Sequence, residues 1–189
     1  MTIKSATFVK GIVGPDEALA GDIPQVAFIG RSNVGKSSVI NALTREKGLA
    51  KTSSMPGLTK EINLFLINKS FFLVDLPGYG YAKASREVQE RLQRLIYWYL
   101  FESEYKQRKV ILIIDANVGA TENDLKMIYS LEEHKKTVVI AANKVDKLKK
   151  SVYEVQMQKI RDAVGNHRVI PCSTKKNTGI SELLNEVLK

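Results

Sequence analysis

The chain has 189 residues, with 29 Lys+Arg against 20 Asp+Glu, a formal net charge of +9, 44% hydrophobic and 26% charged residues. That balance excludes a disordered, collagenous or fibrous chain and leaves room for one buried core. A single cysteine excludes an internal disulfide and a Cys-based zinc site, with only His134 and His167 to offer imidazole, and a reducing, cytosolic setting fits best.

The opening residues carry lysines without an apolar core or a small-residue cleavage site, so no secretory signal is expected. Residues 1–22 are expected as a short extension on a single domain spanning 1–189. Residues 26–29 form an apolar run that stops at Gly30, and a helix is predicted from about Lys36: strand, loop, helix. Residues 61–67 and 71–74 are β-prone and separated by Asn68, Lys69 and Ser70, which predicts an antiparallel hairpin. Val88, Leu92, Leu95, Ile96 and Tyr99 recur at helical spacing, an apolar stripe on an amphipathic helix. Three nearly continuous apolar runs follow at 110–114, 138–141 and 168–170, as in central strands covered on both faces. Helices are predicted at 122–134, 152–164 and 181–188, the last with Ser181 as its N-cap. No apolar run is long enough to span a bilayer. The sum is an α/β fold: a three-layer, doubly wound, mostly parallel sheet with one antiparallel hairpin strand. In such sheets ligands bind outside the carboxyl ends of the strands.

Gly30, Gly35, Lys36 and Ser37 complete the pattern G-x-x-x-x-G-K-[ST] directly after a predicted strand. Glycines let the loop curl so that successive N–H groups face a polyphosphate, and the helix that follows adds the positive end of its dipole. Lys36 is placed to reach the β- and γ-phosphates and Ser37 to give its hydroxyl to Mg²⁺. Asn143, Lys144, Val145 and Asp146 come off the strand predicted at 138–141. A carboxylate at Asp146 can accept from guanine N1–H and the 2-amino group, a pair that adenine does not present. ATP would leave that carboxylate unpaired, at a cost of about 1–3 kcal/mol. The stem of Lys144 can cover one face of the base, and Asn143 is expected to brace neighbouring loops. Cys172, Ser173 and Thr174 follow the last strand, where backbone N–H groups, above all that of Thr174, can meet the guanine carbonyl. Cys172 is read as a small buried residue rather than a nucleophile, and the two histidines as surface or helix-end residues.

Asp75, Leu76, Pro77 and Gly78 close the predicted hairpin as D-x-x-G. Asp75 can hold a Mg²⁺-bound water, and the Gly78 N–H can bond a γ-phosphate and be released when it leaves. In the loop before the hairpin, Gly57, Leu58 and Thr59 lie nearest the site, with Thr59 completing the Mg²⁺ shell. The phosphate-loop contacts are Gly30, Arg31, Ser32, Asn33, Val34, Gly35, Lys36, Ser37 and Ser38. Lys36, Thr59 and Gly78 are the candidate catalytic groups, and Ser37, Thr59 and, through water, Asp75 the candidate metal ligands.

This ordered series resembles the translation-factor-related P-loop GTPases. The stretch from Gly30 to Ser38 followed by Asn41, Ala42 and Leu43, together with Asp75-Leu-Pro-Gly-Tyr-Gly-Tyr-Ala82, is similar to the EngB family of bacterial GTPases. The resemblance implies GTP and GDP as ligands and a role in assembling the large (50S) ribosomal subunit. Cell division and septation belong to the same implied setting. Leu58 stands where that family usually has Arg, and the segment from Asp115 to Thr121 matches its pattern loosely. Tyr79 occupies the position at which Ras-like enzymes carry a water-orienting glutamine, so slow intrinsic hydrolysis is expected. Related proteins coordinate K⁺ through an Asn at the position of Asn33; a loop-bracing role is the alternative. The partners implied are a guanine nucleotide and the ribosomal large subunit or its rRNA, with the chain acting as a monomer. Lys144, Lys147, Lys149, Lys150, Lys175 and Lys176 are either a solvated face or an rRNA-contacting surface. A cell-division factor working through protein partners without RNA, and a P-loop small-molecule kinase, are the competing readings.

Overall fold

The computed structural model describes residues 2–51, 61–80 and 84–189. Their seven strands are β1 (Ala6–Ile12), β2 (Gln25–Gly30), β3 (Ile62–Ile67), β4 (Phe71–Asp75), β5 (Gln107–Asp115), β6 (Val138–Asn143) and β7 (Arg168–Pro171). They form one sheet in the order β1-β3-β4-β2-β5-β6-β7. β3 runs antiparallel to both β1 and β4, while β4, β2, β5, β6 and β7 pair in parallel. β3 is thus the one strand against the common direction, as the hairpin predicted. Five α-helices connect the strands: α1 (Lys36–Thr44), α2 (Arg86–Tyr97), α3 (Glu122–Glu133), α4 (Lys150–Val164) and α5 (Ile180–Leu188).

Strand side chains alternate between faces, and here both faces are dry. Ala27, Ile29, Leu112, Ile114 and Ile140 join Leu95 and Ile96 of α2, Ile128 and Leu131 of α3, and Met157 and Ile160 of α4. Their neighbours Val26, Phe28, Ile111, Ile113 and Ala141 pack against Val39, Ile40 and Leu43 of α1 and Ile180, Leu183 and Val187 of α5. Three layers result. The helical stripe expected from Val88 to Tyr99 is the buried side of α2, with Tyr99 in the one-turn π-helical segment Trp98–Glu102 that extends it. Tyr99 is fully buried, and its hydroxyl donates to Gln25 Oε1 at 2.7 Å.

Two expectations need correction. The segment 1–22 contributes the edge strand β1 and the short turn Glu17–Leu19; most of β1 is exposed, so it carries no apolar run. α5 begins one residue earlier than predicted, with Gly179 rather than Ser181 at its N-cap. Gly179 has φ +70°, and a Cβ there would lie 2.0 Å from the Pro171 carbonyl oxygen, so the close approach selects glycine over a side-chain cap.

Candidate nucleotide-binding site

The chain leaves β2 through α1 towards β3 and β4 on one side, then crosses from β4 through α2 to β5 on the other. The carboxyl end of β2 is therefore the switch point of the sheet, and the motif segments meet there. Register places Asp75 of β4 beside Phe28, Gly30 beside Ile113, and Asp115 beside Asn143. Gly30 has no room for a side chain, since a Cβ would meet the Ile113 carbonyl oxygen at 2.4 Å.

The loop from Arg31 to Gly35 carries α1 out of this edge. Gly35 is left-handed at φ +94°, and a Cβ on it would strike Asn143 Nδ2 at 2.5 Å. Asn143 Nδ2 donates to the Val34 carbonyl at 2.9 Å, which is the bracing role expected of it. No side chain caps the N-terminus of α1, so its first amides face the site with the dipole's positive end and suit an anion. Lys36 and Asp75, both buried, form an ion pair across the gap between the loop and β4. Burial pushes the Asp75 carboxyl above its ordinary range, and the Lys36 ammonium opposes that shift.

On the base side, Lys144 Nζ donates to the Asn33 carbonyl at 2.5 Å and to Asp115 Oδ2 at 2.8 Å, so its stem crosses the loop. Asp146 accepts at Oδ1 from Ser173 Oγ at 2.6 Å, and among the described residues its other oxygen makes no hydrogen bond. Ser173 also accepts from the Lys176 amide at 3.1 Å, which fixes the turn after β7. Cys172 is corrected from a nucleotide contact to a support. Its side chain is fully buried, its N–H donates to Ala142 and its carbonyl accepts from Val145, so neither backbone group remains for a base. Burial raises its thiol to about 12, which removes the thiolate. Val34 is likewise buried, packed beside Val39 and Ile113 in the α1 face of the core. His134 closes the end of α3 through Ser130, and His167 bonds Glu132 at 2.8 Å.

Leu76 and Pro77 are buried, and Gly78 lies against the phosphate loop, where a Cβ would meet Ser32 at 3.0 Å. Gly57, Leu58, Thr59 and Tyr81 lie outside the described residues. Two acidic residues that sequence reasoning did not place in the site belong to it. Asp115 holds Lys144, and Asp124, fully buried at the start of α3, accepts from the Tyr79 hydroxyl at 2.7 Å. Thr121 three residues before Asp124, just ahead of an apolar stripe, was the available sign, because that spacing is a capping box.

Among the described residues no three His, Cys, Asp or Glu side chains cluster as a metal cage. A hydroxyl, one or two carboxylates and phosphate oxygens make the donor set that Mg²⁺ accepts, and Ser37 with Asp75 fits it. Among the described residues no helix is long and apolar enough to cross a membrane.

Residues 25–144 match the family model of the 50S ribosome-binding GTPases, and residues 105–189 that of the elongation factor Tu GTP binding domain. The chain is 45% identical to a probable GTP-binding protein EngB from Ehrlichia chaffeensis, over 96% of this chain and 90% of that one. It is 38% identical to the probable GTP-binding protein EngB of Clostridium perfringens, over 98% and 95%. A solved structure of a probable EngB superposes with a TM-score of 0.72 at 25% identity, covering 87% of this chain and 96% of that one. Era, solved with MgGDPNP and a segment of 16S ribosomal RNA, shares the fold at a TM-score of 0.66 and 24% identity, over 87% and 55%.

Proposed function

Because the chain belongs to the EngB family of GTP-binding proteins and is a GTP hydrolase, we propose that it works as a nucleotide-dependent switch in assembly of the large ribosomal subunit. The observation that carries the guanine part is Asp146, held by Ser173 at the sheet edge with one carboxylate oxygen left for the amino face of the base. The uncapped start of α1 and buried Lys36 take the phosphates, with Lys36 exchanging Asp75 for them. Gly30, Arg31, Ser32, Asn33, Gly35, Ser37 and Ser38 form the cradle. Lys144 spans the loop beneath the base, and the Thr174 N–H meets its carbonyl. Ser37, Thr59 and, through a water, Asp75 would hold Mg²⁺, which supplies neutralisation of phosphate charge.

Hydrolysis on this reading is slow, because Tyr79 cannot orient water as an amide does: its hydroxyl is turned away and spent on Asp124. Lys36, Gly78 and Thr59 remain to stabilise charge on the transferred phosphoryl group. Asn33, exposed and left-handed at φ 68°, is the candidate K⁺ ligand. Unequal turnover in K⁺ and Na⁺ at equal ionic strength is the expected result. The ribosomal role, exerted in the cytoplasm, draws on the description of the matching family and on the exposed lysines at the base edge. Co-sedimentation with purified 50S subunits tests it. Pelleting with a non-hydrolysable GTP analogue and release with GDP is expected; no pelleting with either overturns the ribosomal reading and favours a role through protein partners.

A further inference from the structure

We infer that Asp124 is a positioning residue for the GTP site: through the Tyr79 hydroxyl it fixes Gly78 against the phosphate loop and ties that glycine to helix α3. The inference rests on the GTP reading above and names a part of the site that the motifs do not contain.

Tyr79 is attached at three points. Its N–H donates to the Gly30 carbonyl at 3.3 Å, its carbonyl accepts from the Ser32 N–H at 3.0 Å, and its hydroxyl donates to Asp124 Oδ1 at 2.7 Å. The two main-chain bonds lie on either side of Arg31. The same carboxylate accepts at Oδ2 from the Thr121 N–H at 2.9 Å and the Thr121 hydroxyl at 2.6 Å, and the Arg31 guanidinium stands 3.5 Å away. One buried carboxylate therefore joins the phosphate loop, the segment after β4 and the first turn of α3.

The geometry leaves little slack. Tyr79 is 7% exposed and Asp124 is not exposed at all, so a broken bond between them would find no water in exchange. Gly78 precedes Tyr79 and sits so close to Ser32 that even a methyl group would crowd it. A shift of the Gly78 amide must therefore either pull the phenol off the carboxylate or carry α3 with it. Burial, and then the Asp124 charge, push the Tyr79 phenol well above its ordinary value, so it stays a donor throughout the working pH range.

GDP has no terminal phosphate for Gly78 to meet, and this separates positioning from plain stability. Tyr79→Phe removes one hydroxyl and keeps the ring that fills the core. Titration calorimetry with GDP and with a non-hydrolysable GTP analogue is the readout. The variant should bind the analogue about five- to tenfold more weakly, with GDP affinity unchanged within about twofold. Asp124→Asn is the second variant. It should shift the same ratio in the same direction, and in the double variant the two effects should not add. Equal losses for both nucleotides, no loss for either, or additive effects overturn the positioning role. A wild-type chain that binds neither nucleotide removes the GTP reading itself, and this inference with it.

Discussion

Asp146 and Lys36 are the two side chains on which the proposed recognition turns, and each is held by a neighbour. Ser173 takes one oxygen of Asp146 and orients the other. Asp146→Asn puts a donor where guanine also presents donors, while xanthine presents a carbonyl. The expected outcome is a preference for XTP over GTP by about tenfold or more, measured by competition for a labelled nucleotide. Unchanged preference for GTP would contradict the contact. Lys36 has Asp75 as its partner, and that pair carries a pH signature. Burial holds the Asp75 carboxyl above 3.8 in the folded chain and Lys36 pulls it down. A folded value above the unfolded one contributes stability below 3.8, and the contribution is lost as pH rises through the folded value. Lys36→Met removes the opposing cation, raises that value further and extends the loss upward. The nucleotide-free variant should therefore match the wild type in acid and fall behind it towards neutral pH, by about 3 kcal/mol at most in chemical denaturation. A gap that is constant with pH would contradict the pairing.

At the scale of elements, helix termini decide where the work is done. The start of α1 carries no side-chain cap, as the proposed phosphate contact requires, whereas the end of α5 is closed from within. Lys109 Nζ donates to the Glu186 carbonyl at 2.6 Å, and Arg108 Nη2 to the Val187 carbonyl at 2.6 Å. Two successive cations at the start of β5 thus satisfy the last carbonyls of α5 and complement its dipole. Lys109 is 9% exposed, and the Glu186 carboxylate lies 3.5 Å from its ammonium. Lys109→Met keeps the stem and leaves the carbonyl unpaired, so unfolding free energy should drop by about 1–3 kcal/mol while GTP affinity stays unchanged. A drop below about 0.5 kcal/mol would show that water replaces the ammonium. The edge strand β1 shows the opposite care. Its register shifts between Phe8 and Lys10, and that irregularity, with Lys10 itself, blunts pairing with another chain.

At the scale of the whole molecule, the net charge of +9 is the quantity that bears on partners. Lys147, Lys149, Lys150, Lys175 and Lys176 are all exposed on the side of the sheet edge where the base is expected. If they meet rRNA phosphates, replacing Lys149, Lys150, Lys175 and Lys176 by Gln should weaken 50S association and flatten its salt dependence. The slope should fall by roughly 0.7–0.9 for each phosphate that is no longer neutralised. GTP affinity should not change. An unchanged salt slope would mark the lysines as a solvated face.

What could be read from sequence alone was whatever depends on near neighbours in the chain. The loop from Gly30 to Ser37, the hairpin strand and the alternating apolar runs follow from spacing, because a strand, a turn and a helix start are each local. Asn143 was legible as the first residue of Asn143-Lys144-Val145-Asp146 at a strand end, whereas its bond to the Val34 carbonyl, 109 residues away, is tertiary. The tertiary structure alone decided which groups meet across the sheet edge. Strand order brings Asp115 to Lys144, and the packing of α3 brings Asp124 to Tyr79, pairs separated by 29 and 45 residues. It also withdrew Cys172 from the site, since its N–H donates to Ala142 of β6, its carbonyl accepts from Val145 in the turn after β6, and its thiol is buried in the core. β1 escaped notice because an edge strand buries little, and pairing by backbone hydrogen bonds leaves no mark on side-chain pattern.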